Sequence, residues 1–489
     1  MSTTETITPD AGTSASPPEP ARRGPGRNGV QALAMRLHFY AGVFVAPFIL
    51  IAAVTGALYA LSPTLESFVS RDLLTVTPGE ATRPLSEQVA AAVATRPDLA
   101  LAAVSPAPGA EDTTRVMFTD PTLGASERRA VFVDPYTAQP VGESVVYGSS
   151  GALPMRTWID RLHRDLHLGE PGRLYAELAA SWLWIIALAG LVLWWRRVRS
   201  RRAKNSVGRL FVPDRTKGGR LRNVNWHGAI GAWVLPLALL LSVTGMTWST
   251  YAGANIGDLR KQMSWTTPAV DATLPGAAAP APSSGGDHHH GGDHSPAPAP
   301  ADQNDRVAQL DRVLEASRAA GIDEAVEIAV PATPDAAFTV KERRMPGILT
   351  IDAVAVDGRS GSLTDRLPYA EWPLMAKLTN WGIQFHMGLM FGLANQLLLF
   401  AAMVGLIVMI VLGYRMWWQR RPARATGLRP GRAPRRGALR ATTPWIVVPL
   451  LGAALVVGWF VPLVGLSLLA FLALDVLLGA IGKFRTANR

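Results

Sequence analysis

Nine histidines and no cysteine set the chemical options of this chain. Without thiolates there are no disulfides, thiolate metal sites, iron–sulfur clusters or cysteine nucleophiles, so metal or redox chemistry must rest on His, carboxylates, Met or a bound cofactor. Four of the histidines, His288, His289, His290 and His294, lie with Asp287 and Asp293 in the run DHHHGGDH. Such an unscaffolded run is either a loose site for Zn, Cu or Ni or a solvated linker. The other five, His38, His163, His167, His227 and His386, all fall near the ends of long apolar segments. Ionisable side chains there are costly and mark function by default. The plainer alternative is an interfacial residue that caps a helix or meets lipid headgroups.

The elements that must position these histidines are membrane spans. Of 489 residues, 48% are apolar and 17% charged, and a hydrocarbon core of about 30 Å needs about 20 predominantly apolar residues per helix. Four stretches meet that length, approximately Leu37 to Leu61, Ala176 to Trp195, Ala229 to Tyr251 and Leu393 to Trp417. The run from Pro444 to Ile481 is too long for one span, and Gly458, Pro462 and Gly465 break it into a helical hairpin. Six spans are therefore expected.

The net charge of +11 is concentrated in two short loops. Arg196 to Arg222 carries eleven Lys and Arg against Asp214 alone, and Arg415 to Arg440 carries nine arginines and no acid. By the positive-inside rule both face the cytoplasm, with both termini, in a multi-pass protein of the cytoplasmic (inner) membrane. Topology accounts for these loops, so nucleic acid is not an expected partner; membrane lipid is.

The expected organisation is a disordered cytoplasmic tail (1–35), a first span (36–61), an external domain (62–157), an external helix with the second span (158–195), a basic loop (196–225) and a third span (226–251). A linker with the His-rich segment (252–303), a second external domain (304–375), a fourth span (376–418), a basic loop (419–443), the hairpin (444–482) and a cytoplasmic tail (483–489) follow. Each external domain reads as one helix, LSEQVAAAVATRPD or DRVAQLDRVLEASRAAG, on a small antiparallel sheet.

The two halves repeat. HFYAGVFVAPFILIAAVTG from His38 matches HGAIGAWVLPLALLLSVTG from His227, pairing Gly42 with Gly231, Pro47 with Pro236, Thr55 with Thr244 and Gly56 with Gly245 at an offset of 189. At an offset of 223, His163 pairs with His386, Gly169 with Gly392, Gly190 with Gly413, and Trp194 and Trp195 with Trp417 and Trp418. Both halves run in the same direction, so the repeat is parallel and relates equivalent residues across an axis near the membrane normal. The tryptophans read as an interfacial belt above snorkelling arginines. The Thr-Gly pairs permit close approach of either a helix or a cofactor.

These segments, together with LHRDLHLGEPGRLYAELAASWLWIIALAGLVLWWRR and FHMGLMFGLANQLLLFAAMVGLIVMIVLGYRMWWQRR, make approximately residues 30 to 425 resemble the PepSY-associated transmembrane family, also described as iron-regulated membrane proteins and including ferric-siderophore reductases. The resemblance implies a fold of membrane helices with two small α+β, PepSY-like external domains, closed by hairpins at FVDPYTAQPV and AVDGRSGSLT. It also implies haem b held by transmembrane histidines and electron transfer to external iron. On that basis His38 and His227 hold an inner haem, and His163 and His386 an outer one, with His167 an alternative outer ligand. Three features depart from the family pattern: Ala189-Gly190 in place of Thr-Gly, the His-rich insertion, and the hairpin from Pro444.

Neither basic loop is long enough for a flavin or dinucleotide domain, so electrons are expected from a quinol or a separate donor. The leading function is reduction of Fe(III), siderophore-bound, outside the membrane. The alternatives are a non-redox membrane-anchored PepSY protein that binds or restrains an external peptidase or partner, and metal transport or sensing through the His-rich linker.

Overall fold

Pro47 decides how the first apolar segment is built. A proline inside a helix has no N–H for the carbonyl four residues earlier. The computed structural model of the protein describes residues 25–199, 208–275, 303–421, 433–434 and 442–487, and in it this segment divides at Val45 into α1 (Pro25–Phe44) and α2 (Ala46–Val69). The carbonyl left open, that of Val43, accepts the Tyr414 hydroxyl at 2.8 Å. A phenol from a distant segment thus completes the first helix.

After α2 come α3 (Arg71–Leu74), α4 (Leu85–Thr95), β1 (Ala100–Ser105), β2 (Thr114–Thr119), β3 (Glu127–Val133), β4 (Pro140–Tyr147), α5 (Pro154–Asp165) and α6 (Glu170–Arg199). Beyond α7 (Gly208–Phe211) runs a second series: α8 (Gly219–Thr247), α9 (Tyr251–Gln262), α10 (Gln303–Ala319), β5 (Val326–Ala329), β6 (Phe338–Glu342), β7 (Ala353–Val356), β8 (Leu363–Leu367), α11 (Leu374–His386) and α12 (Gly392–Trp418). Two apolar helices follow, α13 (Pro444–Phe460) and α14 (Pro462–Ala487).

Among the described residues, five helices are long and apolar enough to cross a membrane: α2, α6, α8, α12 and the Pro462–Ile481 part of α14. The expected sixth span is shorter. Val461 leaves the helix (φ −121°, ψ 80°) just before Pro462, which leaves α13 with 17 residues. At 1.5 Å per residue it reaches about 25 Å, less than a core of about 30 Å. Other helix ends also outrun the apolar stretches. α1 begins at Pro25, within the expected tail; α6 and α8 take up part of the first basic loop; α9 occupies the start of the expected linker. The His-rich run lies outside the described residues.

Between the two series, α2 packs on α12 and α6 on α8, while α1 with α6 and α8 with α12 close the bundle. Small buried residues, among them Ala41, Ala53, Ala57, Ala179, Ala238 and Ala402, let the helices approach closely. α14 leans on α6 and α9 from outside, where Trp182 donates to Ser467 Oγ at 2.9 Å and Arg36 pairs with Asp475 at 3.2 Å.

The strands form one antiparallel sheet in the order β4-β3-β2-β1-β5-β6-β7-β8. Its centre is a seam between the series, with Ala103 opposite Ala329 and Val104 opposite Ile328. α4 and α10 lie together on one face over Val104, Val116, Phe118, Ile328, Val340 and Val354. The seam is reinforced at a helix end. Pro84 precedes α4 and offers no capping side chain, and instead Asp311 of α10 accepts the amides of Leu85 at 2.6 Å and Ser86 at 3.3 Å, together with the Ser86 hydroxyl.

Replacing that cap costs about 1 kcal/mol. Asp311→Ala is expected to raise hydrogen exchange at the Leu85 and Ser86 amides about fivefold, measured by mass spectrometry on the detergent-solubilised chain; unchanged exchange there would show that the cap contributes nothing.

Candidate functional site: two crossed histidine pairs

An imidazole has two nitrogens with different duties. If Nδ1 donates its proton to an acceptor, Nε2 is left as a free lone pair. All four histidines that the repeat pairs with one another are arranged in this way.

His38 on α1 places Nδ1 2.9 Å from the carbonyl of Ile186 on α6, and His227 on α8 places Nδ1 2.9 Å from the carbonyl of Met409 on α12. A carbonyl cannot donate, so Nδ1 carries the proton in both. These carbonyls lie four residues before Gly190 and Gly413, so in the α-helical ladder they accept the glycine amides. The missing side chain leaves room for a second donor. A Cβ on Gly190 would stand 2.8 Å from His38 Cε1, whereas one on Gly413 would meet His227 Cε1 at 3.8 Å. The approach is tight in the first series and ordinary in the second.

His163 on α5 and His386 on α11 use hydroxyls instead. Thr55 Oγ1 lies 3.0 Å from His163 Nδ1, and Thr244 Oγ1 lies 2.6 Å from His386 Nδ1. Each hydroxyl hydrogen is already directed to its own helix, from Thr55 to the Ile51 carbonyl at 2.9 Å and from Thr244 to the Leu240 carbonyl at 2.8 Å. The threonine therefore accepts from Nδ1–H. Gly56 and Gly245 follow the threonines, with hypothetical Cβ atoms 3.1 and 3.8 Å from Cε1 of His163 and His386.

Two cross-series pairs result. The His38 and His227 rings have centroids 6.1 Å apart at 79°, and those of His163 and His386 are 6.5 Å apart at 53°. Thr244 lies 17 residues after His227 on the same helix, so the pairs are separated by about 25 Å along the bundle. Tyr59 stacks near-parallel on His163 at 6.1 Å, and Trp248 meets His386 edge-on at 5.3 Å. His163 and His386 line a cavity of 640 Å³ that reaches the sheet. Burial pushes their pKa values down, to about 4 and about 3, which keeps both rings neutral.

His167 lies elsewhere. It follows Leu166, and both adopt left-handed backbone (φ 56° and 54°) in the turn from α5 to α6, held by the His167 amide donating to Asp165 Oδ1 at 3.0 Å. Its ring is exposed and packs on Trp158 at 5.0 Å. It is His163 that faces His386. Among the tryptophans, Trp194 donates to the Leu210 carbonyl at 2.9 Å and Trp418 takes Arg421 over its ring at 3.8 Å. Among the described residues, no three His, Asp or Glu side chains gather into a metal-binding group.

The partners Ile186, Met409, Tyr59 and Trp248 were not singled out from sequence, although the repeat carried the signal. Ile186 and Met409 differ by 223, and Tyr59 and Trp248 by 189.

Among curated proteins, the chain is similar to the "Uncharacterized protein PA4219" of Pseudomonas aeruginosa, with 36% identity over 93 residues, 19% of this chain and 21% of that protein. It thus spans about a fifth of that relative's length. A family model described as "PepSY-associated TM region" matches residues 35–420, which covers every histidine of both pairs and the whole sheet. The chain is a membrane protein with several spanning helices, and it belongs to the PepSY-associated TM family.

Proposed function

We propose that the protein carries electrons through the membrane by way of two b-type haems and reduces ferric iron at its sheet-bearing end. The two crossed histidine pairs carry this reading. A metal–imidazole bond is about 2 Å, and a ring nitrogen lies about 1.1 Å from its ring centre, so two imidazoles on opposite sides of one metal have centroids about 6.3 Å apart. The observed 6.1 and 6.5 Å fit that separation. A pair of imidazoles, each with Nε2 free, would suit haem iron.

His38 and His227 would hold one haem, and His163 and His386 the other; each group supplies a one-electron Fe(III)/Fe(II) couple when bound. The chain contributes orientation and tautomer. The Ile186 and Met409 carbonyls and the Thr55 and Thr244 hydroxyls hold Nδ1–H, which fixes the rings and leaves Nε2 for the metal. Gly190 and Gly56 admit the His38 and His163 rings against the helices.

By the positive-inside rule, the arginine-rich loops favour a cytoplasmic position for the His38–His227 end and an external one for the sheet. We read the two series as a parallel duplication whose four-stranded halves are PepSY-like domains, and the membrane as the cytoplasmic one. A quinol is the donor that suits the chain. Its oxidation to the quinone releases two protons and two electrons, which reduce two Fe(III) to Fe(II). A siderophore chelate is the substrate class this reading favours.

A dithionite-reduced minus oxidised spectrum of the purified protein is expected to show b-type bands at about two haems per chain; protein that stays colourless when haem is supplied would return the chain to the partner-binding reading. His386→Ala is expected to retain one haem and His167→Ala both, by pyridine haemochrome assay, and loss of a haem from the His167 variant would reverse the ligand assignment. Thr244→Val leaves Nδ1–H of His386 without an acceptor. It is expected to weaken one haem by about tenfold or more, read by transfer to apomyoglobin, with Thr244→Ser restoring binding; equal retention in Thr244→Val would remove the hydroxyl's role.

A further inference from the structure

The cavity at His163 and His386 continues beyond them to the underside of the sheet. Its far wall carries Arg115 on β2, Arg128 on β3, Lys341 at the end of β6 and Arg343 just beyond. The turn Gly148–Gly151 also lines it, and Gly148 and Ser149 there are exposed. Glu327 is the acid set among these cations. It pairs with Lys341 at 3.2 Å and is also held charged by Arg128 and Arg343.

The cavity's other charges are taken up by neighbours. Arg344 donates to Asn380 at 3.0 Å and Ser149 at 2.9 Å, and Arg164 pairs with Asp165 at 3.2 Å and lies 3.9 Å from Asp160. Arg173 pairs with Glu170 at 3.4 Å, Glu127 pairs with Arg161, and Glu177 accepts the Tyr251 and Ala252 amides at 3.0 and 2.9 Å.

Arg115 and Arg343 differ from these. Arg115 gives one N–H to the Gly151 carbonyl at 2.9 Å and stands over the Phe132 ring. Arg343 makes no side-chain hydrogen bond or ion pair among the described residues, although Glu327 and Asp112 lie within electrostatic range. Burial pushes both guanidinium groups below their ordinary values, Arg115 to about 10 with the like charge of Arg343 adding to the effect. Both side chains are half-buried, and a partly desolvated cation with so few acceptors is costly. Set in the wall of a cavity open to solvent, among like charges, it is compensated when an anion arrives.

We propose that Arg343 and Arg115, supported by Arg128 and Lys341, bind the carboxylate groups of an anionic ferric chelate and seat it beside the His163–His386 pair. The assignment rests on the ferric-reduction reading above. Guanidinium forks match carboxylates in two-point contacts, and a cationic enclosure concentrates anions ahead of neutral chelates. A porphyrin held by the same histidines also bears carboxylates, so the two sources must be separated by experiment.

The probe is gallium(III) citrate, a redox-inert anionic analogue, titrated by calorimetry into the detergent-purified full chain, with a neutral gallium trihydroxamate as control. Haem is quantified on the same samples. The wild type is expected to bind gallium citrate, and Arg343→Gln to bind it about tenfold or more weakly. Arg343→Lys, which keeps the charge and loses the two-point fork, should fall between the wild type and Arg343→Gln, and the neutral complex should not distinguish the variants. Should Arg343→Gln not purify as a monodisperse protein, Arg115→Gln must show the same selective loss. No binding to the wild type, or equal binding to Arg343→Gln, overturns the proposal. So does loss of haem from Arg343→Gln with gallium citrate affinity unchanged, which assigns the guanidinium to a porphyrin carboxylate. Colourless wild-type protein would instead mark failure of the haem reading, independently of the calorimetry.

Discussion

An imidazole carried into an apolar helix bundle must give its N–H to some acceptor, and this requirement shapes the bundle from end to end. A helix offers few acceptors, because its carbonyls are already used four residues on. Both available solutions occur here. Near His38 and His227 a carbonyl is shared, and at His38 the glycine one turn later clears the approach. Near His163 and His386 a threonine sends its own proton back along the helix and takes a second one from the ring. Glycine and threonine are otherwise poor choices for helix stability. Their placement follows from the hydrogen bond.

Much of this was legible in the sequence because duplication writes each constraint twice. A single histidine at a span end has several ordinary explanations. Two at equal distances from matching Gly, Pro, Thr and Gly residues point to shared geometry, and the structure does bring His38 to His227 and His163 to His386. The acceptors for the first pair were hidden because any residue type supplies a carbonyl, and Ile186 and Met409 read as ordinary core positions. His167 had the same type and helical face as a partner of His163. It is removed by the left-handed turn at Leu166, which the sequence signals only weakly, since Gly169 is the residue expected to turn the chain.

The sheet was legible in its parts and not in its union. Alternating apolar residues mark each strand, but no local feature states that β1 will pair with β5 across more than 200 residues of chain. The seam residues Ala103, Val104, Ile328 and Ala329 look like any buried strand, because pairing edge to edge uses backbone groups that every residue has. The charged wall beneath the sheet was hidden for a related reason. Arg343 lies more than 200 residues from Arg115 and Arg128, and folding alone brings it to the same wall. The first basic loop and the arginines of the cavity are therefore different placements of one residue type: the loop charges follow one another in sequence, and those under the sheet are gathered by the fold.

The seam also restricts how the molecule can work. Parallel duplications in membranes often serve proteins that rock one half against the other to carry cargo. Here the halves are stitched together by backbone pairing at Ala103–Ala329 and Val104–Ile328, by the Asp311 cap on α4, and by the contact of α4 with α10. Rocking would break all three at once. The two series are consequently tied at the sheet, and a motion that parted them there would have to give up backbone pairing together with helix contacts.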